Sequence, residues 1–325
     1  MAEYKGTHGT KIQNYTSDPA NPLQGQVWYN ETANTLKFSA GPLVTAWATG
    51  GDLNQGRSSA MGGVGIQTAA LGFGGYPAPS GETEKYNGTS WTEVNDMNTT
   101  RFTLAGAGTQ TSALASGGRI LGGSLANALT ELWNGTNWAE VNDLNTARRQ
   151  LGGAGASNTA ALNFGGNPGT PSPDTVTGAT ESWNGTNWTE VNDLNTARLS
   201  LAGCGTQTAA LAFGGLPPAG TTAVTELWNG TNWTEVNDLN TSRYESAGAG
   251  TNTAALSFGG SPSPAITESW NGTNWTEVND LNTGRNNLAG AGANNTSALA
   301  FGGSGSPAAT EEWAETGGTS TITTD

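Results

Sequence analysis

The sequence predicts an all-β fold, a six-bladed β-propeller with four short strands per blade. The phrase Trp-Asn-Gly-Thr-Asn-Trp-Thr-Glu-Val-Asn-Asp-Leu-Asn-Thr recurs unchanged from Trp183, Trp228 and Trp270, with looser copies from Tyr86 and Trp133. Three markers each occur six times: Asp-x-Asn-x-x-Arg, a Gly-Gly pair, and Thr-Glu-x-aromatic. The arginines are 44, 47, 50, 45 and 42 residues apart. A fixed period of this length is the mark of a repeat architecture, in which each unit buries its apolar face against the next.

One unit shows the order of elements. After Arg198 comes the small-residue run Ser200-Leu201-Ala202-Gly203, then a polar turn at Thr206-Gln207-Thr208. Ala209 to Phe213 reads as a second strand, closed by Gly214-Gly215. A loop of variable length leads to Thr225-Glu226-Leu227-Trp228, and Trp233-Thr234-Glu235-Val236 completes the unit. The intervening Asn229-Gly230 predicts a tight hairpin with positive φ at both positions. No segment sustains a 3.6-residue apolar period, so almost no helix is expected.

The second Trp of the unit occurs at Trp91, Trp138, Trp188, Trp233 and Trp275, and nothing equivalent follows Trp313. Trp47 precedes Asp52 by the same five residues that separate Trp91 from Asp96. The strand near Leu43–Ala48 is therefore expected to close the last blade beside Trp313, leaving no exposed sheet edge. The domain reading is an attachment segment at residues 1–40, a propeller at 41–316 and a fraying tail at 317–325. Within 1–40, Gln26–Asn30 and Thr35–Phe38 read as a hairpin around Glu31–Asn34.

Composition narrows the function. The chain carries 49 Gly, and small residues fill the first two strands of each unit, as suits strands crowded around an axis. Only 34% of residues are hydrophobic, but eleven of the 12 Trp fall at repeat positions and supply the buried area. A net charge of −14 with 12 Lys and Arg makes a poor binder of nucleic-acid phosphates. The single cysteine, Cys204, excludes a disulfide framework and a cysteine zinc site. The polar N-terminus gives no secretion signal, and no run is long enough to span a membrane. The Asn-x-Thr triplets are accounted for as turns.

These residues carry a resemblance. Gly-Gly, an aromatic eleven to eighteen residues on, Trp five later and then x-Leu-Asn-x-x-Arg resemble the kelch repeat over about residues 43–315. The chain departs from it in placing Trp at the usual Tyr in four blades, and Asp-Leu-Asn-Thr for Met-Pro. The run Gly25-Gln26-Val27-Trp28-Tyr29-Asn30 with Thr35-Leu36-Lys37-Phe38 is similar to segments of bacteriophage tail and fibre proteins. The near-identical repeats resemble those of kelch-like proteins from marine phages. The resemblance implies a kelch-type propeller in a virion, among other virion proteins and within a homo-oligomer or larger assembly.

Catalysis is not expected. The copper oxidases built on kelch-type propellers use His and Tyr ligands and a Cys-linked Tyr, whereas His8 is the only histidine here and lies outside the repeat. No cofactor or metal is expected: the repeated Asp, weighed as a calcium ligand, suits a turn better. One Glu and one Arg per blade predict an ion pair in each: Glu84, Glu131, Glu181, Glu226, Glu268 and Glu311 with Arg57, Arg101, Arg148, Arg198, Arg243 and Arg285. Recognition is expected in the loops after the Gly pairs, where blades differ: Tyr76 and Pro77, Asn167 to Asp174, Leu216 and Pro217, and Ser261. The alternative is neutral drift of those loops. Trp28 and Tyr29 are candidates for the assembly contact. The expected function is a non-enzymatic structural protein of a phage tail or surface appendage. The alternative is a carbohydrate-binding module for a host surface glycan.

Overall fold

The computed structural model describes residues 12–20, 25–77, 81–120, 126–169 and 175–322, and all regular structure among them is β-strand. No helix among the described residues is long and apolar enough to cross a membrane. The chain divides into two compact units, Met1–Ala46 with Glu315–Asp325, and Trp47–Ala314.

The larger unit is a series of four-stranded antiparallel sheets, compatible with the blades of a propeller. In the fourth repeat Ala202–Thr206, Ala209–Phe213, Thr225–Trp228 and Trp233–Val236 pair in sequence order. The second repeat adds a small two-stranded sheet, Arg101–Phe102 with Arg119–Ile120. First strands of successive repeats lie side by side: Gly62–Ile66 against Ala105–Thr109, and so on to Ala289–Asn294 against Gly62–Ile66.

The small residues of the first strands are required by that approach. A β-carbon on Gly203 would sit 2.4 Å from the ring of Phe164 in the preceding repeat, and one on Gly248 would sit 2.8 Å from Phe213. In five repeats the Phe that ends the second strand therefore fills the space a side chain would need. The second repeat has Ser116 at that position, and Asn163 donates its amide to the Ser116 hydroxyl across the gap.

Farther out, the two Trp of a repeat face each other across the third and fourth strands, as Trp183 and Trp188 do with ring centroids 5.3 Å apart. Both indole N–H groups are satisfied, as buried polar groups must be. Trp183 donates to the Asn158 carbonyl, and Trp188 to the Thr130 hydroxyl of the preceding repeat. Trp47 occupies the matching place beside Trp313, 5.5 Å away, and donates to Thr267.

The Trp-Asn-Gly-Thr-Asn-Trp connection differs from the two-residue hairpin expected. Trp183 pairs directly with Trp188, so the loop holds four residues, and only Gly185 reaches positive φ, at 91°. Asn184 has no need of positive φ because its side-chain oxygen accepts from the N–H groups of Thr186 and Asn187. The Asn shapes this loop through its side chain.

In the smaller unit, Val27–Asn30 pairs antiparallel with the strand Thr35–Thr49, Val27 opposite Phe38. A further strand, Gln13–Tyr15, pairs parallel with Val27–Asn30. The unit boundary falls after Ala46, within the strand Thr35–Thr49, whereas the boundary expected from the sequence followed residue 40. At the other end the strand that starts at Thr310 continues to Ile322, through most of the segment read as a tail.

Candidate functional site

The six glutamates and six arginines meet in pairs, N to O distances running from 2.5 to 3.2 Å, all deeply buried. Glu181 accepts from Arg148, from the backbone N–H and side-chain amide of Asn145, and from Thr146 N–H. Arg148 also donates to the carbonyls of Gly165 and Ala179. Burial pulls the guanidinium pKa down and the glutamate pushes it back up. The pair ties the connection entering a repeat to its third strand and to its Gly-Gly turn. The pair is enclosed by protein, with only the Arg148 Nε left without a hydrogen-bond partner, so this is framework.

The repeated Asp also has a fixed task. Asp193 accepts from Thr180 N–H, as Asp96 does from Thr83 and Asp143 from Thr130. Among the described residues no three His, Cys, Asp or Glu gather to hold a metal ion. Burial pushes the Cys204 thiol up to about 12, which keeps it protonated at neutral pH.

At one end of the larger unit lie the four-residue Asn-Gly-Thr-Asn loops, near-identical and exposed. They are strapped together by Asn side chains: Asn142 bonds Thr186 and Asn187, and Asn192 bonds Thr231 and Asn232. The other end is not uniform. The loops after the Gly pairs emerge there, each tied by a bridge to the residue following, or close to, the repeat Arg: Ser59 to Tyr76, Arg149 to Asn167, Leu199 to Leu216, Tyr244 to Ser261.

Of the residues singled out in these loops, Tyr76 is exposed at 42% and Pro77 lies exposed beside it. Leu216, Pro217 and Ser261 are half-buried. Asn167 is buried, and its side-chain oxygen accepts from Gly169 N–H, so it shapes its loop and presents no surface to a partner. Asp174 lies outside the described residues. Tyr76 packs on Phe102, ring centroids 5.9 Å apart, and Arg119 stands over the same Phe102 ring at 5.7 Å.

Inside this loop belt is a cavity of about 140 Å³, bordered by six equivalent residues: Ala60, Thr103, Gln150, Ser200, Glu245 and Asn287. A second, of about 100 Å³, continues beyond it between the Gly- and Ala-rich first strands. Five of the six bordering residues hold positive φ without being glycine, from 52° at Ser200 to 57° at Glu245. The cause is visible in the backbone. Thr103 N–H donates to Ala60 C=O at 2.8 Å, Gln150 to Thr103 at 2.8 Å, Ser200 to Gln150 at 2.8 Å, Glu245 to Ser200 at 2.9 Å and Asn287 to Glu245 at 2.9 Å. The left-handed conformation turns each amide along the rim onto its neighbour.

Glycine would adopt that conformation without strain, and none of the six residues is glycine. Their side chains also differ, two hydroxyls, two carboxamides, one carboxylate and one methyl, although the backbone task is the same. Gln150 donates to the Ser200 hydroxyl at 2.9 Å, and Glu245 is hydrogen-bonded by Asn287 while burial raises its pKa. These residues were missed in the sequence because the run after each Arg reads as small-residue filler. The signal was there once the repeats are aligned: the second residue after the Arg, or the third after Arg57, changes from copy to copy.

In the smaller unit Trp28 is fully enclosed, its N–H donated to Asp18 at 3.1 Å, so it has no surface for the assembly role assigned to it. Tyr29 is half-buried and bonds Asn34. Asp18 is held at about 2 by Lys37, with Asn30 and Trp28 also donating to it.

A scan against protein-family models finds no match to this chain, and a search of curated proteins finds none either.

Proposed function

We propose that the chain is a six-bladed kelch-type β-propeller, four strands per blade, closed by the strand carrying Trp47, and that it serves as a non-catalytic recognition platform of a phage virion. The ring reading is supported by bonding that returns to its start. Trp91 of the first repeat donates to Thr310 of the sixth, as Trp138 donates to Thr83. Gln67 of the first repeat donates to the Trp313 carbonyl, as Gln110 donates to that of Tyr86.

The platform reading is carried by one observation: six equivalent positions around an open cavity hold dissimilar side chains, five of them in strained backbone. Strain of this kind persists where the surrounding structure enforces it, and it clusters at functional sites. The tail or appendage setting rests on the sequence resemblance, with residues 1–40 as the attachment element. A host surface molecule, a glycan among the candidates, meets the loop belt and the cavity.

The test has two parts. Mass spectrometry of purified virions of the phage encoding this chain should find it in stoichiometric amount; its absence would overturn the virion setting. Labelled full-length chain should bind host-cell envelopes, and Tyr76→Ala with Phe102→Ala should weaken that binding. Thr186→Glu with Thr231→Glu, on the hairpin end, should leave it intact. The reverse pattern would refute the assignment of faces.

A further inference from the structure

The joints between successive repeats follow one pattern, and the joint between the fourth and fifth departs from it twice. Five joints bury an apolar residue just before the first strand: Met61, Leu104, Leu151, Leu201 and Leu288. In the fifth repeat this residue is Ser246, and the cluster of Phe213, Leu239 and Trp275 lacks its counterpart. The second departure is Ser257, which stands opposite Gly248 as Gly72 stands opposite Gly63. A β-carbon on Gly72 would lie 2.7 Å from Met61 and 3.0 Å from Phe301 of the preceding repeat, so this position faces the joint beside the Leu or Met. Ala115, Ala212 and Ala300 hold it elsewhere, each within its joint's apolar cluster. The Ser246 and Ser257 hydroxyls are both enclosed, and among the described residues neither has a hydrogen-bond partner. The joint between the second and third repeats is also polar, with Ser116 in place of Phe and Asn163 in place of Ala. There Asn163 donates to Ser116 across the joint, Leu151 keeps its place, and only the Asn163 oxygen is left over. A hydrogen bond made across a joint holds it, whereas buried hydroxyls without partners cost free energy that hydration recovers when the joint opens.

We propose that the joint between the fourth and fifth repeats is a hinge, at which the two sheets part in the otherwise folded chain while the other joints stay packed. In a repeat protein each interface contributes its own term to stability, and the element with the fewest buried apolar contacts opens first. The opening reaches the cavity. The rim bond from Glu245 N–H to Ser200 C=O, 2.9 Å long, spans this joint, so parting the sheets breaks it, widens the rim on that side and frees Glu245 from its φ of 57°. It also reaches the chain's single thiol. Cys204 belongs to the same cluster and directs its sulfur at the Thr251 carbonyl of the fifth repeat, 3.6 Å away. In the closed joint Cys204 is buried and burial holds its thiol at about 12, so it becomes reactive only when the sheets part.

Labelling of the full chain with fluorescein maleimide in native buffer tests this, the reagent being too bulky for the axial space of about 100 Å³ that Cys204 also borders. Cys204 should label faster than whole-chain unfolding allows. Its rate should be nearly flat in guanidinium chloride below the unfolding transition, because a local opening exposes little surface. Ser246→Leu with Ser257→Ala copies Leu201 and Ala212 of the preceding joint and should slow labelling about tenfold or more, the change that about 1.4 kcal/mol makes in an equilibrium. Leu104→Ser, three joints away, should lower the unfolding midpoint and leave the labelling rate unchanged. The hinge would be overturned by labelling that climbs with denaturant in step with unfolding, that quickens in Leu104→Ser, or that is indifferent to Ser246→Leu with Ser257→Ala. A thiol that never labels in the native chain would overturn it too.

Discussion

In the hairpin loops between third and fourth strands the backbone reaches positive φ at Gly88, Gly135, Gly185, Gly230 and Gly272; at the cavity end it does so at the Gly pairs, such as Gly214 and Gly215, and on the cavity rim at Thr103, Gln150, Ser200, Glu245 and Asn287. The rim residues lead into the first strand of a repeat, and the loop glycines join its third and fourth. Where the repeat needs only a turn, it supplies the residue that turns without strain, and it supplies the same one each time. At the cavity it keeps side chains that the backbone disfavours and varies them. Framework positions recur, and the proposed site lies where recurrence fails although the backbone task does not change.

The largest effects belong to the frame shared by both ends. Glu181→Ala leaves the Arg148 guanidinium buried without its counter-charge and removes the acceptor for Asn145 and Thr146. Loss of one partner of a buried pair costs about 3–5 kcal/mol, read as a lower midpoint in guanidinium chloride. The same change at Glu131 should cost the same within about 1 kcal/mol, because its partners, Arg101, Asn98 and Thr99, are the same. Unequal costs would show that the frame is not uniform.

Trp47→Ala bears on closure. Trp47 is buried, bonds Thr267 and contacts both Phe258 and Trp313, as Trp275 bonds Thr225 and contacts Phe213 and Trp270. Truncating either Trp should cost about 3–5 kcal/mol. If Trp47→Ala is silent in thermal unfolding while Trp275→Ala is not, the first and last repeats are not joined as proposed.

Much of this was legible in the sequence. The period gave the repeats, the Gly and Trp spacings gave the strands, and matched counts of Glu and Arg suggested the pairing. Each of these follows from residue type and spacing alone. The Asn-Gly loop was misread because a dipeptide rule concerns backbone alone, whereas Asn184 works through its side chain. The burial of Asn167 and Trp28 could not be seen because it depends on what the fold lays over them. The cavity rim stayed hidden because strain is a property of φ, and nothing in the letters Thr103, Gln150, Ser200, Glu245 and Asn287 announces a left-handed backbone.

Gly185→Ala tests the hairpin side of the comparison. A β-carbon there would meet nothing nearer than Thr159 at 3.4 Å, an ordinary contact, so only the φ of 91° opposes it. The expected loss is about 1–2 kcal/mol, the cost of an L-residue in left-handed backbone. A fully tolerated Ala would mean that glycine is kept in these loops for some other reason.

The smallest effect is expected on the cavity side, with the opposite sign. Glu245→Gly relieves a residue held at a φ of 57° and removes a carboxyl group whose charged form burial disfavours. It also gives up the Asn287 hydrogen bond and adds glycine's freedom to the unfolded chain. Relief of about 1–2 kcal/mol set against those losses leaves a net gain of under about 1 kcal/mol at neutral pH. The pH dependence fixes the cause. The folded-state pKa of Glu245 is raised above its ordinary 4.5, so the parent chain loses stability as pH rises through that value toward the folded one. The variant has no such group, and its advantage should grow across the same window and shrink in acid. A variant less stable than the parent at every pH would mean that the rim residue holds the ring together, and the argument that strain is retained for recognition would fail at the position where it is strongest.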